Sequence, residues 1–538
     1  MPVDDMPVDG QADVGSLSAL VARAAGTAPD APALVAGDVR LNWAEVDERV
    51  DRAAAGYRAR GLDAGDRVAV QLRNGVDWVV AVMGALRAGL VVVPVNTAYT
   101  DPEVEHLLTD SGARLLVVGA DRAELAGVPV SAGPPSSADP APADPEDPTA
   151  LALLAYTSGT TGRPRGAMLT HAALLANQQQ LLALEPAPVR AGDRVLLVLP
   201  LFHVYGFNSG WGLVAATAAC GVLVEEFDPV GTLQLMAEED VTAVPGAPPM
   251  YAAWLAVADA TGSDAALRRG FAAVRTASCG AAPMPGVLFE AMRTRAAVTV
   301  WEGYGLTEAA PVLASTLATG RAKPECIGGP LPGVELALRD TAGGPTAGPD
   351  PGSRVRHDVF GDPFADDQED DGDEAGEVCA RGANLFSGYW PDGADGPDAD
   401  GWLLTGDIAY RDADGDLKLV DRRRDLVLVR GFNVYPGEVE RVLDEHPEVA
   451  ACAVIGLPDP RTGEAVHAVV VRTPGGEVTE AQLREHAARS LARFKVPVAV
   501  HFLSELPHSL AGKVSRARLR ELGLERAAAA AAEGADGG

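Results

Sequence analysis

The chain of 538 residues carries 44 Lys and Arg against 75 Asp and Glu, a formal net charge of -31, with 47% hydrophobic residues. That length suits roughly three domains, and that apolar fraction supports a large core and excludes global disorder. So acidic a surface repels nucleic acid and anionic membranes, so phosphates must be met by local clusters of Arg and Lys.

Cys220, Cys279, Cys326, Cys379 and Cys452 are scattered without a CxxC pair, which argues for a reducing compartment and against structural zinc. The N-terminus MPVDDMPVDG has no apolar stretch of the signal-peptide kind. No run of about 18 or more uncharged apolar residues exists, so no membrane-spanning helix is expected. The expected location is cytoplasmic.

Residues 1–14 read as a loose tail. LNWAEVDERVDRAAAGYRARGLDAGDRVAVQL reads as helix, glycine stop, turn and strand, with Val46, Val50, Ala53 and Tyr57 at helical spacing. DWVVAVMGALRAG is predicted as a helix, and LVVVPVN and ARLLVVGA as buried strands. Strand, helix and strand at short spacing imply a parallel sheet with right-handed crossovers. SAGPPSSADPAPADPEDP is a Pro/Ala/Asp linker.

Residues 153–171, LLAYTSGTTGRPRGAMLTH, open as a strand and pass through a Thr/Ser/Gly/Arg run; a helix is expected from GAMLTH onward. Such runs are commonly solvated turns. Here Gly159, Gly162 and Gly166 let backbone amides approach an anion, Thr157, Ser158, Thr160 and Thr161 add hydroxyls, and Arg163 and Arg165 add charge.

Further on, DRVLLVLPLFHVYGFNSGWGLVAATAACGVLV reads as strand, turn and glycine-rich helix. VTAVPGAPPMYAAWL is a strand followed by a Pro-started helix, and FAAVRTASCGAAPMP a strand ending in a small-residue turn. VTVWEGYGLTEAAPVLA follows. After Gly376 come EVCARGANLFSGYW, DADGWLLTGDIAY and DGDLKLVDRRRDLVLVRGFNVYPGEVERVL. In the last part VAACAVIG, AVHAVVV and PVAVHFL read as strands, with helices starting near Pro436 and Thr479.

The 153–171 run, GYGLTE and the DRRRDLVLVRGFNVYP segment together resemble the adenylate-forming superfamily: acyl-CoA synthetases, 4-coumarate-CoA ligases, firefly luciferases and peptide-synthetase adenylation domains. The likeness covers about residues 20–520 and is nearest to fatty acyl-CoA synthetases. It implies an α/β fold: a large N-terminal domain of stacked mixed and parallel sheets with helices and a small β-barrel subdomain, then a small mobile C-terminal α/β domain. The expected domains are 15–423, with an acidic disordered insert at about 341–376, and 424–523 hinged at Arg424, followed by a tail over 524–538.

What the resemblance implies for the site follows residue by residue. Thr157, Ser158, Gly159, Thr160, Thr161, Gly162 and Arg165 would hold the phosphates, Arg165 standing where the family usually has Lys, which keeps charge but not shape. Gly280 and Ala281 would border adenine and the acyl pocket. In Gly303-Tyr304-Gly305, Tyr304 would stack on adenine. Thr307 would contact the α-phosphate, and Glu308 with Thr160 would hold Mg²⁺, a hard ion suited to a carboxylate and phosphate oxygens. Asp407 and Arg422 would grip the ribose. His203, Tyr205 and Ser209 would line the acyl pocket, Gly431 would leave room for CoA, and Lys513 would be catalytic. Arg424 departs mildly from the Asp or Lys common at the hinge.

The implied function is an ATP-dependent carboxylate–CoA ligase using ATP, Mg²⁺ and CoA, with a small carboxylic acid as substrate. A fatty acid is favoured because FNSGWGLVAATAA and ECIGGPLPG offer few polar groups. An aryl acid of the 4-coumarate type and an acyl-AMP ligase loading a carrier protein are the alternatives. A homodimer or a separate carrier protein are the protein partners left open. The 25 residues after Lys513 are too few for an appended carrier domain.

Overall fold

The computed structural model describes residues 15–119, 124–158, 164–339, 375–412, 414–422, 427–429, 432–434, 436–459, 463–491, 493–507, 514–516 and 518–523. The chain forms two compact units: residues up to 337 with 379–405 and 413–417, and residues 338–378 and 406–412 with those from 418 onward. The acidic stretch expected at 341–376 lies almost wholly outside the described residues, as does Arg424.

In the first unit a nine-stranded sheet runs in the order Gly329–Pro330, Val312–Ser315, Val300–Gly305, Thr276–Cys279, Ala243–Gly246, Arg194–Leu197, Cys220–Leu223, Pro32–Ala36, Val39–Asn42. Its inner pairs are parallel and its edges antiparallel. A seven-stranded sheet of the same unit runs Glu124–Leu125, Val128–Ala132, Leu115–Val118, Arg67–Gln71, Val91–Pro94, Leu151–Ser158, Pro164–Thr170. The inner strands read as continuous apolar runs because parallel strands are covered on both faces. Val92, Val93, Leu116 and Val117 are accordingly wholly buried.

The helix Trp43–Ala59 starts where the sequence allows it: Asn42 and Glu45 form a reciprocal capping box. Val46, Val50, Ala53 and Tyr57, the predicted stripe, are all buried. The neighbouring helix Val76–Arg87 comes so close that a Cβ on Gly84 would lie 2.5 Å from that of Ala53. Arg67–Gln71 and Val91–Pro94 pair in parallel around this helix, as expected.

One local expectation is corrected. The helix expected from Gly166 onward begins at His171; Pro164–Thr170 is a strand, antiparallel to Leu151–Ser158 with Thr157 opposite Arg165. The hairpin wins because Gly166, Ala167, Met168 and Leu169 are all buried in it, and Thr170 Oγ1 caps the helix by accepting from the Ala173 amide at 3.1 Å. The segment that leads into the helix N-terminus at His171 is therefore the strand Pro164–Thr170. The helix expected after Pro200 begins as a π-helix, Tyr205–Gly212, and continues as the α-helix Leu213–Thr217.

Where a small barrel was expected, Glu335–Arg339, Gly376–Arg381, Leu403–Arg411 and Leu417–Arg422 form a four-stranded sheet in that order. In the second unit Val449–Asp459 and Gly463–Arg472 make a long antiparallel hairpin, and Ala499–Phe502 joins it in parallel. Helices Pro436–Asp444 and Glu480–Ala488 pack there, the second opened by a Thr479–Gln482 capping box.

Candidate active site

Three parallel strands of the nine-stranded sheet end at Gly246, Cys279 and Gly305. Open α/β sheets bind ligands beyond the carboxyl ends of their strands. Two tyrosines fill the space beside the first two ends. The Tyr251 hydroxyl donates to Ser278 O at 2.8 Å, and its ring lies against Gly246, where a Cβ would be 2.9 Å from Cε2. The Tyr205 hydroxyl reaches Gly246 O at 3.4 Å, and its ring lies against Gly280, where a Cβ would be 2.9 Å from Cε1. Ala281 next to it has a left-handed φ of 69°. Burial raises the pKa of both phenols, so both stay protonated donors.

The π-helix Tyr205–Gly212 presents two faces. Its wider turn places residues four to five apart on one side, so Tyr205 and Ser209 share one. Phe207 and Trp211 point into the core, edge-on to Trp78 and stacked on Trp43. Asn208 fixes the helix: its amide donates to Leu174 O at 2.9 Å and to Ala310 O at 2.7 Å. Ser209 is buried, and its hydroxyl has no hydrogen-bond partner among the described residues. His203, just before the π-helix, is exposed and packs beside Phe202.

The third strand end leads to the other half of the site. Tyr304 is buried on Val300–Gly305, one residue after Gly303, which stands opposite Ser315. Gly305 is obligatory, since a Cβ there would sit 1.9 Å from Pro311 O. A short 3₁₀ turn, Thr307–Ala309, follows and carries Glu308.

On Glu308 the distant segments meet. Thr157, at the end of its strand, donates from Oγ1 to Glu308 Oε1 at 3.5 Å. The Tyr389 hydroxyl donates to the same oxygen at 2.5 Å. The Arg165 guanidinium lies 4.0 Å from the Tyr389 ring centroid and pairs with Asp395 at 2.7 Å. Backbone bonds tie the segments together: Trp390 N to Gly166 O, Ser387 N to Met168 O, and Phe386 N to Glu308 O. Burial and the Glu308 carboxylate raise the Tyr389 phenol above its ordinary pKa, so it acts as a donor.

The structure thus brings Thr157, Arg165 and Glu308 together, and separately Tyr205 and Gly280. Ser158 continues the Thr157 strand, its backbone opposite Pro164. Asp407, buried on Leu403–Arg411, and Arg422, at the end of Leu417–Arg422, fall in the second unit. Gly159, Thr160, Thr161, Gly162, Gly431 and Lys513 lie outside the described residues. Arg516, three residues past Lys513, is held by both oxygens of Glu440 at 2.8 Å.

Tyr389, Asp395 and Asn208 were not foreseen from sequence. The one available signal for the first was the aromatic cluster Phe386, Tyr389 and Trp390 in a Gly/Pro turn.

Comparison with known proteins identifies the family. Residues 21–390 match the family described as AMP-binding enzyme, and residues 438–513 match its C-terminal domain. A feruloyl-CoA synthase of Amycolatopsis sp is 35% identical over 93% of this chain and 97% of its own length. A long-chain-fatty-acid–CoA ligase of Bacillus subtilis (strain 168) is 29% identical, covering 96% of each. ATP-bound MatB from Rhodopseudomonas palustris superposes with a TM-score of 0.79 at 30% identity, over 94% of this chain and 98% of its own.

Proposed function

This chain belongs to the AMP-binding enzyme family, and from that premise we propose that it activates an uncharged-tail monocarboxylic acid, in the first place a fatty acid, as its CoA thioester. The enzyme is an ATP-dependent, AMP-forming acid–thiol ligase of the adenylate-forming type, using ATP, Mg²⁺ and CoA. One observation carries the choice of acid: the helix Tyr205–Gly212, which walls the space beside Gly280, contains no charged residue. A second carboxylate or other charge in the tail would find no counter-ion on that wall.

The aryl reading rests on its own observation. The Tyr205 ring lies flush against Gly280, and Ser209 offers a buried hydroxyl on the same face. That combination suits a flat ring bearing a polar substituent, and the feruloyl-CoA synthase relative acts on such an acid.

A carboxylate is a poor acyl donor because its leaving group is oxide. In the first half-reaction its oxygen attacks the α-phosphorus of ATP, and the bond to the β-phosphate oxygen breaks with release of pyrophosphate. In the second, the CoA sulfur attacks the acyl carbon of the adenylate, AMP leaves, and the thiol proton goes to solvent. Phosphoryl transfer of this kind needs positioning and charge neutralisation.

The assigned roles are ours. Thr157, Ser158, Gly159, Thr160, Thr161, Gly162 and Arg165 hold the phosphates. Thr307 contacts the α-phosphate, Tyr304 and Gly280 border adenine, Asp407 and Arg422 hold the ribose, and Lys513 completes the first step. Gly431 admits CoA in the second, after movement about Arg424. The residues present fit Mg²⁺: Glu308 is a half-buried carboxylate steadied by two hydroxyls, and Mg²⁺ takes one or two carboxylates plus phosphate oxygens. A bound Mg²⁺ would supply charge neutralisation to the phosphates of ATP.

Pyrophosphate release across fatty acids of graded length and hydroxylated aryl acids, with and without CoA, tests the proposal. A maximum among alkyl acids supports the first reading. A maximum among hydroxyaryl acids, lost in Ser209→Ala, replaces it with the second. Activity confined to dicarboxylates would refute both.

A further inference from the structure

Glu308 is the point where the phosphate hairpin, the 3₁₀ turn and the segment 386–395 converge, yet both hydroxyls that reach it use the same oxygen. Thr157 contacts Oε1 at 3.5 Å and Tyr389 contacts Oε1 at 2.5 Å. That arrangement orients the carboxylate and leaves Oε2 directed elsewhere. The tyrosine itself is locked. Arg165 covers one face of its ring at 4.0 Å and is anchored by Asp395 at 2.7 Å. Phe386 meets it edge-on at 5.1 Å. Its backbone pairs with Ala394 and bridges to Ala167 of the phosphate hairpin. So many constraints on one side chain fix a single placement of the hydroxyl, which Glu308 then inherits.

We infer that Tyr389 is a positioning residue for the nucleotide step: its hydroxyl fixes Glu308 through Oε1 so that Oε2 is presented to the divalent cation that accompanies ATP. The inference rests on the proposed role of Glu308 as the cation's carboxylate. Carboxylates that ligate metals are themselves hydrogen-bonded, and removing such an outer partner lowers metal affinity by about 10–100-fold. The arrangement also gives the Arg165 substitution a role of its own. A planar guanidinium stacks on an aromatic face and pairs with a carboxylate at once, which a lysine ammonium does less well, so Arg165 clamps the tyrosine while remaining at the mouth of the phosphate loop.

The test is Tyr389→Phe, which deletes the hydroxyl and keeps the ring under Arg165. Mn²⁺ affinity is measured by electron paramagnetic resonance in the presence of α,β-methylene-ATP, with no acid added. The expected result is a loss of about 10–100-fold, with the thermal unfolding midpoint of the nucleotide-free protein unchanged. A double-mutant cycle with Glu308→Gln keeps the inference falsifiable: once Glu308 is neutralised, Tyr389→Phe should cost nothing more. In turnover, half-saturation by Mg²⁺ should rise while KM for the acid stays put. Wild-type Mn²⁺ affinity in Tyr389→Phe, or losses that simply add in the double variant, would overturn the inference. Because the Mn²⁺ measurement needs no acid, its outcome is independent of whether any acid in the panel releases pyrophosphate.

Discussion

Gly280→Ala tests the acid pocket at the place where the geometry is tightest. A Cβ added there would lie 2.9 Å from Cε1, 3.1 Å from Cζ and 3.3 Å from the hydroxyl of Tyr205. Carbon pairs are comfortable at roughly 3.5–4.0 Å, so the ring must withdraw by about 0.6–1 Å. The backbone at Gly280 is pinned by the hydrogen bond its N–H donates to Gly246 O, so the ring is the part that yields. Overpacking of this kind costs about 1–3 kcal/mol, and a methylene-sized change in an apolar pocket alters discrimination by roughly 10–200-fold. If Tyr205 borders the acid, the ring is driven into the acid's space. KM for long or bulky acids should rise about 10-fold or more while short acids are spared. Tyr205→Leu in the same chain should restore the bulky acids. The assay is pyrophosphate release against an acid ladder at saturating ATP. An unchanged ladder in a folded Gly280→Ala enzyme would refute the placement of Tyr205 at the pocket wall.

Four further outcomes follow from the same structure. Asn208→Ala leaves Leu174 O and Ala310 O without their buried donor, so urea unfolding should show a loss of about 2–4 kcal/mol; a loss under about 0.5 kcal/mol would contradict the pinning of the π-helix. Gly305→Ala collides with Pro311 O, a backbone atom that cannot swing aside, so it should destabilise by roughly 3 kcal/mol and abolish pyrophosphate release, with native-like activity as the contrary result. His171 is buried and its pKa falls from 6.5 to about 4 despite Asp144 and Asp147. Its contribution is therefore complete above pH 6.5 and is lost as pH falls toward 4, by about 3 kcal/mol; His171→Gln should flatten the acid limb of stability measured by urea unfolding, and equal slopes would speak against it. Lys513→Ala should lose adenylation yet convert a supplied acyl-adenylate to thioester, and Gly431→Leu should do the reverse; equal failure of both steps in both variants would end that division of labour.

Much of this architecture could be read from the chain because it rests on local patterns. The parallel strands announce themselves as short apolar runs such as Leu115–Val118, and the helix Trp43–Ala59 by its stripe and its Asn42–Glu45 cap. Thr157 and Glu308, which stand out in two short runs dense in hydroxyl and carboxylate groups, do meet in the structure. Two things escaped for definite reasons. Gly166–Thr170 reads as the start of a helix because the strand character of Pro164–Thr170 comes from pairing with Leu151–Ser158 and not from its own alternation. Tyr389 escaped because its meaning lies in a contact with a residue 81 positions away. The π-helix was equally silent, since its hold comes from Asn208 reaching Leu174 and Ala310.

The central claim is that the acid's own oxygen attacks the α-phosphorus of ATP. Running one turnover with a carboxylate labelled with ¹⁸O, in the presence of CoA, tests it most directly. Mass spectrometry should find one labelled oxygen in each AMP formed, and none in pyrophosphate. ADP with labelled inorganic phosphate, or AMP free of label, would contradict it.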